Sequence, residues 1–259
     1  FTALEDVDLT SFYAFIYSVT PGTTDWLAQP LEGPQVAGEF TTSKAQLLNR
    51  NVRWVAQYDK AAGKGVLFYY VTPFSGPGSR TSLWDQTSYH KFFAQPCAGE
   101  IKAGTKLSYR MVIDLFSAPA EGWREEVTQQ VEDLQERFPQ EEVRQVTPRL
   151  YDEGVPEEGM LTVQTAHYKL VFSAQQAWTI YSFEYDGKLI GPPSGFYGTV
   201  LVPTGGKWIG TGHTEGGREI VHSVKLLVDD VETPIAIGST VQGHRVTLVK
   251  DSTIHKFRS

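Results

Sequence analysis

Tyr89, His90 and Lys91 stand side by side in the run SRTSLWDQTSYHKFFAQ (Ser79–Gln95), which also holds Arg80, Trp84 and Asp85. These are the side-chain types from which an acid–base site is built. An ammonium beside a phenol lowers the phenol pKa and favours phenolate as a base. A histidine titrates nearest neutrality and is the more usual proton carrier. Lys91 or Arg80 can neutralise a substrate carboxylate, with Trp84 and Asp85 as further substrate-binding candidates. The plainer reading sets Tyr89 at a strand edge, Lys91 in solvent and His90 in an internal hydrogen bond. If Tyr89–Gln95 is a strand, Tyr89 and Lys91 point one way and His90 the other.

A second set lies in Trp208–Glu219, WIGTGHTEGGRE. His213 and Glu215 are two titratable groups in a loop whose glycines permit unusual backbone angles. Trp208 supplies a flat apolar face for a sugar. The plainer reading is a Gly-rich hairpin loop facing water. His213 and Glu215 are also metal-ligand types, but two without a third make a weak case for zinc; no metal site is assigned and no cofactor is expected, while metal dependence stays open. A further candidate is Arg110, which shares one strand face with Asp114 and could reach a groove or simply face solvent.

Other chemistries leave no trace. The chain has no GxSxG, HExxH or phosphate-loop motif, and its Gly-rich pieces do not open helices. Cys97 is the sole cysteine, which excludes an internal disulfide and a thiolate cluster; a lone cysteine is usually a small buried hydrophobe. A net charge of −7 without a basic block argues against nucleic acid, where binding depends on neutralising phosphates. No apolar run approaches the roughly 20 residues that span a bilayer. The chain opens at Phe1 without a leader-like stretch, which is compatible with a secreted or periplasmic location after removal of a leader.

The elements that must position these residues are mostly strands. Asn51–Asp59 alternates polar with apolar, and Lys64–Thr72 (KGVLFYYVT) is apolar almost throughout. The short Gly-containing link between them reads as an antiparallel hairpin, with the second strand covered on both faces. In Lys106–Phe116 the set Leu107, Tyr109, Met111, Ile113 and Leu115 is expected to face the core. Trp123, Val127, Val131, Leu134 and Phe138 fall at helical spacing, which predicts one amphipathic helix ended by Pro139. Beyond Met160 short strands follow one another, with Asp186-Gly187 as a type I′ turn and His222 grouped by alternation with Ile220, Val224 and Leu226. About a dozen strands and one helix predict a mainly β fold: a large two-sheet antiparallel β-sandwich, 1–259, as a single domain.

Asn51–Thr72, SLWDQTSYHKFF and KAGTKLSYRMVIDLF together resemble the large antiparallel sandwich domains of the galactose-mutarotase-like superfamily. Such domains also occur in sugar epimerases, polysaccharide lyases and some glycoside hydrolases. The resemblance lies in strand texture and order over about half the chain, with no diagnostic motif. It implies a carbohydrate ligand. In the epimerases a His acid and a carboxylate base act on the hemiacetal, a pattern that His213 with Glu215 suits. In the lyases a Tyr or His takes the proton beside a uronic acid whose carboxylate a cation neutralises, a pattern that Tyr89 or His90 with Lys91 and Arg80 suits. The expectation is a carbohydrate-active protein doing acid–base chemistry of lyase or epimerase type on an acidic glycan or sugar. A non-catalytic carbohydrate-binding module and a structural or assembly subunit are the alternatives. Oligomeric state stays open.

Overall fold

Lys64–Thr72 has no polar face to offer water, and the structure covers both of its sides. In the computed structural model, which describes residues 1–19, 22–87, 90–139, 158–191, 196–210 and 215–259, this strand lies inside a five-stranded sheet. The order is Arg110–Ser117, Lys64–Thr72, Val52–Asp59, Asp25–Pro30, Val36–Glu39, with every pairing antiparallel. Leu67, Tyr69 and Val71 pack toward the helix Trp123–Arg137. The alternate residues Phe68 and Tyr70 meet the hairpin Arg80–Asp85/His90–Gln95: Phe68 stacks on Phe92 at 4.0 Å, and the Thr81 hydroxyl donates to the Tyr70 hydroxyl at 3.0 Å. The predicted hairpin between Val52–Asp59 and Lys64–Thr72 is present.

The helix buries the stripe read from its spacing, Trp123, Val127, Val131 and Leu134, with Phe138 packed at its end. Glu125 and Glu126 in its first turn and Arg137 in its last complement the helix dipole. Its anchor is an aromatic stack. Tyr58 lies parallel to Trp123 at 4.9 Å and to Phe116 at 5.9 Å. Tyr58 and Phe116 are both cross-strand partners of Gly65. A Cβ on Gly65 would lie 2.2 Å from Phe116 Cζ and 2.7 Å from the Gln57 carbonyl, so the ring fills the space the glycine leaves. The Tyr58 hydroxyl donates to the Ala118 carbonyl at 2.6 Å, tying the strand to the segment that leads into the helix.

Three expectations need correction. The strands do not form two large sheets: among the described residues they fall into five sheets of four or five strands. The chain has more and shorter strands than its composition suggested, and two sheets of that many strands would exceed the size at which twisted sheets stay open, about 10 strands. In the strand now bounded as Arg110–Ser117, Phe116 and Val112 pack toward the helix, whereas Ile113 is 37% exposed. This is an edge strand with a register shift between Arg110 and Met111, and the helix covers the face that alternation had assigned to solvent. His222 does not continue the Val224–Leu226 face, because the register slips between Val221 and Ser223 and Ile220 is left exposed.

The described chain gathers into two compact units. One comprises Val19–Cys97 and Leu107–Gln145, the other Phe1–Ser18, Ala98–Lys106 and Val146–Ser259. In the second, a sheet of Lys188–Gly191, Thr179–Tyr185, Tyr168–Ser173, Met160–Gln164 and Thr240–Gln242 contributes Leu161, Val163, Leu170 and Phe172 to a shared core. Val224, Leu226 and Leu248 enter the same core from the pair Glu219–Val228/Val246–Ile254. Another sheet of this unit includes Val7–Tyr13, Val200–Pro203 and Ile209–Gly210. Asp186 and Gly187 both take positive φ, 46° and 71°, as the predicted type I′ turn requires. Cys97 is buried, and burial pushes its thiol up to about 12. Among the described residues no helix is long and apolar enough to cross a membrane.

The stack over Gly65 makes a direct prediction for stability. Tyr58→Phe removes only the hydroxyl that satisfies the Ala118 carbonyl and is expected to cost about 1–3 kcal/mol. Gly65→Ala forces Phe116 off its site and is expected to cost about 1–3 kcal/mol by overpacking. Urea denaturation followed by tryptophan fluorescence reads both; an unchanged midpoint for either variant contradicts the packing described.

Candidate functional site

Strand alternation divides the Ser79–Gln95 residues between two faces. In the hairpin, His90 pairs with Asp85 and Lys91 with Trp84, while Arg80 pairs with Gln95. Asp85 and His90 face the interlayer with Phe92 and are 0% and 1% exposed. Arg80, Trp84 and Lys91 are on the opposite face and only half-buried. The expected opposition of His90 and Lys91 is present. Tyr89 lies outside the described residues.

On the buried face, Asp85 is the organising group. Its Oδ1 is 3.1 Å from His90 Nδ1, close enough for charge pairing although not aligned as a hydrogen bond. Its Oδ2 accepts from the backbone N–H of Thr41 at 2.9 Å, from that of Ser43 at 2.9 Å and from the Ser43 hydroxyl at 2.8 Å. Its own N–H donates to the Ala45 carbonyl at 2.8 Å. The loop so held contains Thr42 and Lys44, both at φ 57°, where side chains other than glycine are strained. Phe40, at the head of that loop, stacks on His90 with centroids 4.2 Å apart. Burial alone would raise the Asp85 carboxyl, but the Ser43 and Thr41 donors and the neighbouring His90 outweigh it and hold the pKa below its ordinary value.

An imidazole held at Nδ1 by a carboxylate has its orientation fixed, as acid–base catalysis requires. Here the same pair is sealed from solvent, and the carboxylate's other oxygen is committed to the loop. The interlayer is polar beyond this pair. Gln57 is 1% exposed with neither amide atom hydrogen-bonded to a described residue, and Trp26, its cross-strand neighbour, has its Nε1 in the same situation.

On the open face, Lys91 lies across from Trp84, with its ammonium 6.0 Å from the Phe93 ring. Burial of the stem and head lowers the Lys91 pKa. Arg80 is four residues along the strand from Trp84, about 13 Å, so it does not share the Lys91 position. Ser82 between them accepts from Gln46 Nε2 at 3.2 Å and donates to Asn49 Oδ1 at 3.3 Å.

The remaining candidates are elsewhere. Arg110 is exposed at the edge of the central sheet, its guanidinium 5.5 Å from the ring of Phe138 at the helix end. The sheet therefore stands between Arg110 and the buried His90. Trp208 and Glu215 belong to the other unit, and His213 lies outside the described residues. The Gly216 N–H donates to the Trp208 carbonyl at 3.0 Å, which brings exposed Glu215 to the neck of the loop beside Trp208. A Cβ on Gly216 would lie 2.8 Å from the Lys207 carbonyl, so this closure needs glycine. The Trp208 ring is tilted against Tyr13 at 6.2 Å and 32°.

The residues that sequence reasoning missed are Phe40, Thr41 and Ser43. The signal was the hydroxyl cluster Thr41-Thr42-Ser43, a composition that favours local capping of a carboxylate.

The Asp85 carboxyl makes acid sensitivity predictable. Because its folded pKa lies below 3.8, the unfolded chain binds more protons just under that pH. The contribution is complete above the ordinary value and is lost as pH falls through the lowered one. Asp85→Asn keeps an acceptor for the loop and is expected to flatten the acid limb of a pH-dependent stability profile. Asp85→Ala strands buried donors and is expected to cost about 3–5 kcal/mol at neutral pH. Parallel acid limbs for wild type and Asp85→Asn, read by urea denaturation across pH 2 to 6, as a rough window around the carboxylate range, contradict this role.

No protein-family model, curated protein or solved structure matches the chain.

Proposed function

We propose that the chain binds carbohydrate without transforming it, using the Tyr13–Trp208 surface as its stacking platform. The observation that carries the reading is an indole kept at the surface: Trp208 is 39% exposed while tilted against Tyr13. The local sequence accounts for that exposure. Ile209 takes the core position at 4% exposed and Phe12 does the same at 0%, so their neighbours Trp208 and Tyr13 turn outward. An exposed indole forgoes burial worth about 25 cal/mol per Å², and surface apolar groups with a polar rim mark binding sites. The Glu215 carboxylate at the loop neck supplies acceptors for sugar hydroxyls beside the apolar ring face.

The acid–base reading draws support from Lys91, whose lowered pKa gives it some basic character beside Trp84. It is the weaker reading because His90 is sealed and its carboxylate partner is spent on the loop.

The test is a glycan array with the full chain, followed by calorimetric titration of the best ligand. Trp208→Ala is expected to lower affinity about tenfold or more, the loss of roughly 1.4 kcal/mol of stacking. His90→Gln is expected to leave affinity unchanged. Failure to retain any glycan, or an unaffected Trp208→Ala variant, sinks the proposal. Appearance of unsaturated ends on acidic polysaccharides, abolished by His90→Gln, would favour the lyase instead.

A further inference from the structure

Where Lys64–Thr72 runs out into Pro73, the last helical turn passes over the strand ends and leaves a pocket of about 270 Å³. Arg53, Tyr69, Tyr70, Pro73, Gln135 and Phe138 line it. All belong to the unit that carries the central sheet. Its walls follow from the fold. Tyr69 faces the helix and Tyr70 the hairpin; both are buried, and both border the pocket at the strand's end. Phe138 closes the helix by donating its N–H to the Leu134 carbonyl at 2.8 Å.

Two donors here have no hydrogen-bond or ion-pair partner among the described residues. Arg53 is exposed and makes no ion pair with a described residue. The Tyr69 hydroxyl makes no hydrogen bond to one, and Arg53 is near enough to act on it electrostatically. Burial, the larger effect, raises the Tyr69 phenol and keeps it a protonated donor at neutral pH. Tyr70, by contrast, already accepts from Thr81.

Cationic side chains gather at this end of the helix. The helix C-terminus carries about half a negative charge. Arg110 and Arg137 sit by the Phe138 ring at 5.5 and 5.4 Å. The neighbouring carboxyl, Asp114, interacts with Arg137, and its burial pushes its pKa up rather than down. Arg53, which forms no ion pair with a described residue, brings a further positive charge to the pocket.

We propose that this pocket is a binding site for a small ring-bearing carboxylate, held by the Arg53 guanidinium and the Tyr69 hydroxyl with its ring against Phe138 and Pro73. A guanidinium with a nearby hydroxyl matches the several acceptor positions of a carboxylate. The volume is below the range of about 300–1,000 Å³ that takes drug-sized ligands, so one ring fits and an oligomer does not. A sugar acid and an aromatic acid share this chemistry. The site is independent of the Tyr13–Trp208 surface.

Calorimetric titration of the full chain with glucuronate, benzoate and neutral glucose, at low ionic strength, tests the assignment. One of the two carboxylates is expected to bind with a stoichiometry of one while glucose gives no heat. Preference for glucuronate assigns a sugar acid, and preference for benzoate an aromatic acid. Arg53→Gln, at an exposed position, and Tyr69→Phe, which removes a hydroxyl with no hydrogen-bond partner among the described residues, are each expected to keep the wild-type melting temperature. The first should weaken binding at least tenfold and the second several-fold. Binding of neither carboxylate, or binding that Arg53→Gln leaves unchanged, overturns the proposal. Trp208→Ala is expected to have no effect on this titration, which separates its outcome from that of the glycan array.

Discussion

A strand with two apolar faces cannot tolerate water on either, and Lys64–Thr72 imposes that condition on the unit built around it. One face recruits the helix, the other recruits the Arg80–Asp85/His90–Gln95 hairpin. Each cover is fixed by aromatic contact: Tyr58 and Phe116 against Trp123 on one side, Phe68 against Phe92 on the other. Burial on this scale is non-directional, so it dictates that the strand be covered without dictating register. Register comes from shape. Gly65 admits the Phe116 ring where any other residue would exclude it, and that single vacancy of side chain sets how the edge strand and the helix meet the sheet.

The interlayer shows how a polar residue can be essential to a fold without being a reactive one. Asp85 faces inward because its strand position is odd with respect to Trp84, and an inward carboxylate must be matched by donors or it would be expelled. The match comes from Thr41 and Ser43 in a loop that must adopt two left-handed residues to present them. Loop and carboxylate therefore stabilise one another: strain is offset by charge-assisted hydrogen bonds, and a buried charge is offset by the strained loop. His90 completes the arrangement with Phe40 on its ring face. The same residue types that suggested proton transfer in the sequence serve here as a clasp between a hairpin and a loop forty residues upstream.

Much of the architecture was legible because it depends on local periodicity. The helix stripe from Trp123 to Leu134, the hairpin into Lys64–Thr72 and the Asp186-Gly187 turn each follow from a pattern within a few residues. What stayed hidden depends on register. The slip at Val221/Ser223 exchanges the faces beyond it, the helix takes the face of Arg110–Ser117 that alternation had left to solvent, and nothing in the alternation of Lys106–Phe116 or Glu219–Asp229 announces either. Whether strands gather into two sheets or five is likewise decided by which edges meet, not by how many strands there are. The clasp was legible only in half: Asp85 and His90 stood out, while Thr41 and Ser43 are too far away in sequence to be matched with them.

Adjacency in sequence is a poor guide to a site on a strand, and the hairpin makes the reason concrete. A catalytic pair must reach one substrate atom from the same side, whereas consecutive strand residues point to opposite sides. His90 and Lys91 therefore cannot share a substrate on this hairpin. Lys91 can share one with Trp84 across the ladder, and His90 only with Asp85. The Tyr13 and Trp208 rings meet without being ladder partners. Tyr13 pairs with Val200, whose other partner is Gly210, and Trp208 just precedes the strand Ile209–Gly210, so the two rings lean together over the strand between them. A shared surface in a β protein needs side chains that leave one face of the sheet together, and consecutive strand residues such as His90 and Lys91 do not.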